Sequence, residues 1–248
     1  MSALRIERDG AVLRIAMARP ERRNAFDAAL IAELTGAFGD VGDAHAVLLT
    51  GDGPSFSAGA DVEWMRSSVE LGYDENVADA LGLRAMLDAI DGCPAPVVAA
   101  VQGHALGGGC GLVACCDIVV ADPDTQFAFS EVKLGIVPAV ISPFALAKIG
   151  PGAARRYFVT GERFSAQVAL RIGLVHEVAD ELDATVQRVL AELRSAGPEA
   201  ARAAKALARA PLSARETAER IAAHRTSDEG QEGLRAFLEK RAPGWTGK

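Results

Sequence analysis

The stretch Val97-Val98-Ala99-Ala100-Val101-Gln102-Gly103-His104-Ala105-Leu106-Gly107-Gly108-Gly109-Cys110-Gly111 runs from an apolar strand through a glycine cluster into an apolar helix. Such a junction leaves backbone N–H groups without partners at the start of the helix. A second junction of the same kind lies upstream, where Ala46-Val47-Leu48-Leu49-Thr50 leads through Gly51 to Phe56 into Ser57-Ala58-Gly59-Ala60-Asp61. Two donors aimed at one point would hold an oxyanion.

Around these junctions the pattern is that of an α/β chain. Leu4 and Ile6, then Val12, Leu13, Ile15 and Met17, flank Asp9-Gly10 as a hairpin. Phe26, Leu30, Ile31, Leu34 and Phe38 predict a helix over 25–38, and a further helix is expected over 77–90, after a polar surface segment at 67–76. Strand, turn and helix recur at a spacing near 48 residues, from Ala60 to Gly108, which suggests stacked ββα units. Beyond Ala196-Gly197-Pro198 the chain is nearly all helix-forming, so the reading divides it into a core over 1–196 and a helical region over 197–248. The apolar stripes of that region need the core or another subunit to cover them, and an oligomer is expected.

Composition narrows the function. Half of the 248 residues are apolar and the formal charge is −7, with scattered cations, so a nucleic-acid partner is not expected. No apolar run reaches the roughly 20 residues of a membrane helix, and Met1 to Arg5 lacks an apolar leader, so a cytoplasmic location and no membrane partner are expected. The four cysteines read as small buried hydrophobes rather than as a disulfide framework or metal site.

The glycine cluster is not a dinucleotide fingerprint, since Gly107 to Gly111 gives G-x-G-x-G without the acidic residue that should follow. Phosphate-loop, nucleophile-elbow and zinc motifs are missing as well. What remains is the pair of small-residue turns and Glu131, set between Phe127-Ala128-Phe129-Ser130 and an apolar run from Val132 to Pro138. A carboxylate there is partly desolvated and suited to proton transfer. A helix cap or an ion pair with Lys133 is the plainer alternative.

Phe56 to Asp61, Gly103 to Cys110, Cys116-Asp117-Ile118, Phe127 to Gly135 and Phe237-Leu238-Glu239-Lys240-Arg241 resemble, in order, the enoyl-CoA hydratase/isomerase (crotonase) superfamily. The flank from Phe129 to Pro143 is similar to methylglutaconyl-CoA-type hydratases. The resemblance implies the crotonase (ClpP-like) fold, an acyl-CoA thioester substrate, no cofactor beyond the coenzyme A of the substrate, no metal, and a homotrimer or a hexamer made as a dimer of trimers. It assigns an oxyanion hole to the N–H groups of Ala60 and Gly108, with Glu131 as the catalytic carboxylate. Arg22, Arg23 and Ala58 match the approach to the coenzyme A nucleotide, and Phe237 and Lys240 match positions that reach it from the same or a neighbouring subunit. Asp61 follows the oxyanion alanine, where a helix cap suits it at least as well as a contact with substrate. His104 reads as packed and hydrogen-bonded, and Asp117 as structural.

One position departs from the family. Hydratases of this family carry a second glutamate three residues after the oxyanion glycine, and here that residue is Gly111. Three readings follow: a hydratase using Glu131 alone, with Gly111 making room for a branched or carboxylated acyl chain; an isomerase converting 3-enoyl to 2-enoyl thioesters with one base; or a non-catalytic acyl-CoA-binding member.

Overall fold

Asp9 and Gly10 reverse the chain with Gly10 at a φ of +57°, a left-handed conformation that suits a residue without Cβ. The reversal joins β1 (Leu4–Asp9) to β2 (Val12–Met17) in antiparallel register, with Leu4 opposite Met17. The computed structural model describes residues 2–209 and 211–246. From β2 the chain continues through α1 (Ala28–Gly39), β3 (Ala46–Gly51), α2 (Val62–Ser68), α3 (Tyr73–Asp91), β4 (Val97–Val101), β5 (His104–Leu106), α4 (Gly108–Cys115), β6 (Ile118–Ala121) and β7 (Gln126–Ala128). A 3-10 turn at Glu131–Leu134 precedes α5 (Ser142–Thr160), β8 (Phe164–Ser165), α6 (Ala166–Ile172), β9 (Glu177–Val178) and α7 (Leu182–Ser195). The last helices are α8 (Pro198–Leu207), α9 (Ala214–Thr226) and α10 (Asp228–Leu238).

The strands form two sheets, one of six strands in the order β1-β2-β3-β4-β6-β9 and a smaller one in the order β5-β7-β8. From β2 to β9 every pairing in the larger sheet is parallel, and β3 and β4 are almost wholly buried, as expected when both faces are covered. Val12, Ala46, Leu48, Val98, Ala100 and Val120 point to one face, where α7 lays Val186 and Leu190, one helical turn apart, across them. The alternate residues, such as Val47, Leu49, Val97 and Ala99, join the main core with Phe26, Phe56, Phe127 and Phe129. Every residue of α4 from Gly109 to Cys115 is buried, so this glycine-led helix is fixed on all sides.

Two boundaries differ from those read in the sequence. The helix expected from residue 25 starts at Ala28, because Asp27 caps it by accepting the Leu30 N–H at 3.0 Å while Phe26 remains extended and bridges to Ala60. The polar segment at 67–76 holds the end of α2 and the start of α3. The side chain of Glu75 accepts the Gly72 N–H at 2.8 Å and starts the helix one turn before Val77.

The C-terminal helices are tethered through α8. Lys205 Nζ lies 2.6 Å from Asp117 Oδ2 and donates to the Ala95 carbonyl at 3.2 Å, while Asp117 also accepts the N–H of Val97 at the head of β4. Arg202 donates to the carbonyls of Gly42 and Ala44. Outward-facing Ile221, Leu234, Phe237 and Leu238 leave α9 and α10 with exposed apolar surface. Among the described residues, no helix is long and apolar enough to cross a membrane. Because the Lys205 side chain is only 7% exposed, Lys205→Ala is expected to lower stability by about 1–3 kcal/mol, measured by urea unfolding.

Candidate active site

The turn after β3 is held from behind by Asn24, fully buried and in a left-handed conformation at φ +52°. Its Nδ2 donates to the carbonyls of Asp52 and Ser55 at 2.9 and 2.8 Å, its Oδ1 accepts the Arg19 N–H, and its carbonyl accepts the Ser57 hydroxyl. Around Ala60 the backbone is used on both sides. Ala58 N–H donates to Arg23, Phe26 N–H to Gly59, and Asp61 N–H to Phe26, while Gly59 N–H reaches Ser57 Oγ. The N–H of Ala60 meets no acceptor among the described residues.

The second turn is arranged in the same way. Gly107, at φ +51° and ψ −121°, donates its N–H to Ala128, and its carbonyl accepts from Cys110 and Gly111. Gly108 begins α4, so its N–H is one of the donors a helix cannot satisfy internally, and no described acceptor takes it. The turns touch, since a Cβ built on Gly59 would lie 2.5 Å from the Leu106 carbonyl oxygen and 3.4 Å from Gly108 N. A Cβ on Gly108 itself would overlap the ring of Phe26. Small residues are therefore required here by close approach as well as by conformation.

Glu131 comes to this junction from the 3-10 turn after β7. Its Oε1 would lie 3.3 Å from a Cβ on Gly107, which puts the carboxyl beside the second turn. Its Oε2 is buried without a hydrogen-bond partner among the described residues, and no ion pair to Lys133 forms. Burial pushes the carboxyl pKa above the ordinary carboxylate range, against a smaller opposing effect of the residue's own backbone N–H. A buried unpartnered carboxylate is costly as structure, which makes Glu131 a candidate for proton transfer.

A cleft of about 300 Å³ opens over the two turns and Glu131. Ala58, Ala60, Gly107, Gly108 and Phe26 form its floor. Trp64, Met65 and Leu83 from α2 and α3 face Leu134, Val137 and Ile141 from the segment after Glu131, making two walls that are apolar apart from Ser68, Asn76 and Asp79 on the first. Such a site admits an extended apolar chain and raises the strength of polar interactions at its floor.

The other residues singled out in the sequence fall in different places. Gly111 lies behind the cleft, not in it: a Cβ there would be 2.5 Å from Ile141 Cγ2 and 3.6 Å from Leu87 Cδ2, so Ile141 fills the space expected for a branched acyl chain. Asp61 is a cap and ion-pair partner, accepting the Glu63 N–H at 2.8 Å and bonding Arg22 at 2.9 Å; burial raises its pKa, but Arg22 and this cap outweigh it and the net shift is downward. It does not line the cleft. Arg22 is engaged by Asp61 and Glu63, whereas Arg23 is exposed and forms no described ion pair. Phe237, 80% exposed, and Lys240, at φ +54°, lie at the end of α10 and do not line this chain's cleft. His104 Nδ1 lies 3.4 Å from Ser55 Oγ; burial lowers its pKa, with Arg163 and Arg23 adding to the effect. Glu63 pairs with Arg22 and Glu75 starts α3, and neither lines the cleft. Asn24 and Ile141 were not anticipated, and only contacts across more than 25 residues reveal them.

The family described as enoyl-CoA hydratase/isomerase matches residues 7–248. The chain is a member of the enoyl-CoA hydratase/isomerase family. It is 35% identical over 243 residues to the crotonyl-CoA hydratase of Syntrophomonas wolfei, covering 93% of this chain and 92% of that protein. A crystal structure of an enoyl-CoA hydratase from Shewanella pealeana superposes with a TM-score of 0.93 at 40% identity, covering 98% of this chain and 96% of the other. Pseudomonas aeruginosa AtuE superposes with the same TM-score at 36% identity, over 98% and 99% of the two chains. The α/β architecture is thus the crotonase fold, with a helical C-terminal region.

Because a methyl group on Gly108 would displace Phe26 and the turn, Gly108→Ala is expected to lower kcat/KM on an enoyl-CoA by about 10²-fold or more, the loss associated with one oxyanion donor. Steady-state kinetics of the folded variant, verified by circular dichroism, measure it.

Proposed function

We propose that this chain is an enoyl-CoA hydratase that adds water to a 2-enoyl thioester with one carboxylate, Glu131. The observation that carries the reading is the unpartnered Glu131 Oε2 beside two free backbone donors. The thioester oxygen sits between the N–H groups of Ala60 and Gly108, which stabilise the negative charge it gains as an enolate forms. Glu131 takes a proton from water as the water oxygen bonds to the β-carbon. The enolate then collapses and its α-carbon takes that proton from Glu131, so the carboxylate is restored and water has been added across the double bond. Arg23, with the backbone at Ala58, is assigned to the coenzyme A nucleotide. Phe237 and Lys240 would reach it from a neighbouring subunit of a trimer or of a hexamer, in which the exposed apolar side chains of α9 and α10 are covered.

A second reading is favoured by Ile141. With that side chain over Gly111, no second carboxylate helps to hold water, and a single base is enough to carry a proton from the α- to the γ-carbon of a 3-enoyl thioester. The test follows conjugated-thioester absorbance with crotonyl-CoA and with 3-pentenoyl-CoA. Loss of absorbance from the first supports hydration, and gain from the second without loss from the first supports isomerisation.

Glu131→Gln is expected to reduce turnover by about 10²–10⁴-fold while acyl-CoA binding persists, as seen by comparing kcat with calorimetric Kd. Since the base must be ionised, kcat/KM falls as pH drops through the Glu131 pKa. Burial moves that limb upward, so a pH profile should bend above the value of about 4.3 typical of a free glutamate.

A further inference from the structure

The acyl wall of the cleft carries a charge that the proton-transfer chemistry does not use. Asp79, half-buried on α3, lines the cleft opposite the segment after Glu131, and Trp64 Nε1 on α2 donates to its Oδ1 at 3.2 Å. That bond fixes the carboxylate between two helices and leaves Oδ2 without a described partner. Ser68 and Asn76 line the same wall, and their donors are already engaged: the Ser68 hydroxyl bonds the Met65 carbonyl at 2.8 Å, and the Asn76 amide bonds the carbonyls of Leu71 and Gly72 at 3.0 Å each. The wall therefore offers acceptors and a negative charge. Among the described residues lining the cleft there is no lysine, arginine or histidine. The single cation on α3, Arg84, is turned away, paired with Asp88 at 2.9 Å and placed over the ring of Phe144.

From this arrangement we infer that Asp79 is a specificity-determining residue that restricts the site to thioesters with an uncharged acyl chain and rejects those whose chain ends in a carboxylate. This rests on the acyl-CoA reading above and narrows it. A terminal carboxylate entering the cleft would lose water, meet acceptor oxygens at Ser68 and Asn76, and lie against a fixed like charge with no counter-ion within the walls. On this inference the charge on Asp79 disfavours the carboxylated acyl chain for which Gly111 was expected to make room.

The test compares pentanoyl-CoA with glutaryl-CoA, saturated thioesters that differ by a terminal methyl against a carboxylate, in equilibrium binding to the full chain. The inference predicts that the wild type binds glutaryl-CoA about tenfold or more weakly. It further predicts that Asp79→Asn, which keeps an oxygen for Trp64, narrows this gap severalfold. Raising the salt concentration should narrow it in the wild type, which tests the charge without any variant. Equal wild-type affinities, or a gap that neither the substitution nor salt changes, overturns the assignment. Turnover of 2-pentenoyl-CoA against glutaconyl-CoA separates the two readings. Preferential binding without hydration of either keeps Asp79 as the selector and overturns the hydratase, whereas equal hydration of both keeps the hydratase and overturns the selector.

Discussion

Two strand-to-helix turns meet so closely that neither tolerates a side chain at the contact, and each is left with one backbone N–H that no described residue accepts. Backbone polar groups in a folded core are nearly always paired, so unpaired donors at Ala60 and Gly108 are a cost the rest of the structure must hold in place. It does so by satisfying everything around them. Asn24 clamps the first turn through three hydrogen bonds and ties it to Arg19 by a fourth, and Ala128 receives the N–H of Gly107 in the second turn. The buried helix α4 fixes the direction in which the Gly108 N–H points.

Against that floor a single carboxyl is placed in an environment that disfavours its charge. Among the described residues no cation compensates the burial of Glu131, in contrast with Asp61, next to Ala60 in the chain, whose arginine partners favour its charged form. Environment alone sets the two acids apart, burial holding the Glu131 pKa up and the arginines and a backbone N–H holding that of Asp61 down. Asp79 adds a third setting, half-buried and held by an indole N–H on the cleft wall built by α2 and α3.

Much of this was legible in the chain. The hairpin at Asp9-Gly10, the buried strands and the glycine-led helix all follow from local periodicity and from glycine at the turns, whereas the parallel pairing of the strands does not. The family resemblance pointed to Ala60, Gly108 and Glu131, and the structure places all three at one cleft. What local pattern does not carry is contact between distant segments. Ile141 packs over Gly111 from 30 positions further along the chain, Asn24 braces a turn around Ser55, and Trp64 orients Asp79 across two helices. The start of α3 is likewise hidden, because a glutamate side chain capping a glycine N–H makes helix out of a polar segment that lacks an apolar stripe.

The central claim is that main-chain donors of Ala60 and Gly108 bind the thioester oxygen with the Glu131 carboxyl next to the adjoining carbons. A crystal structure with a bound, unreactive acyl-CoA such as the saturated butanoyl thioester tests it most directly. The account predicts the carbonyl oxygen within about 2.7–3.2 Å of both nitrogens and the Glu131 carboxylate facing the α- and β-carbons. A thioester carbonyl lodged elsewhere, with those two N–H groups bonded within the protein, would contradict it.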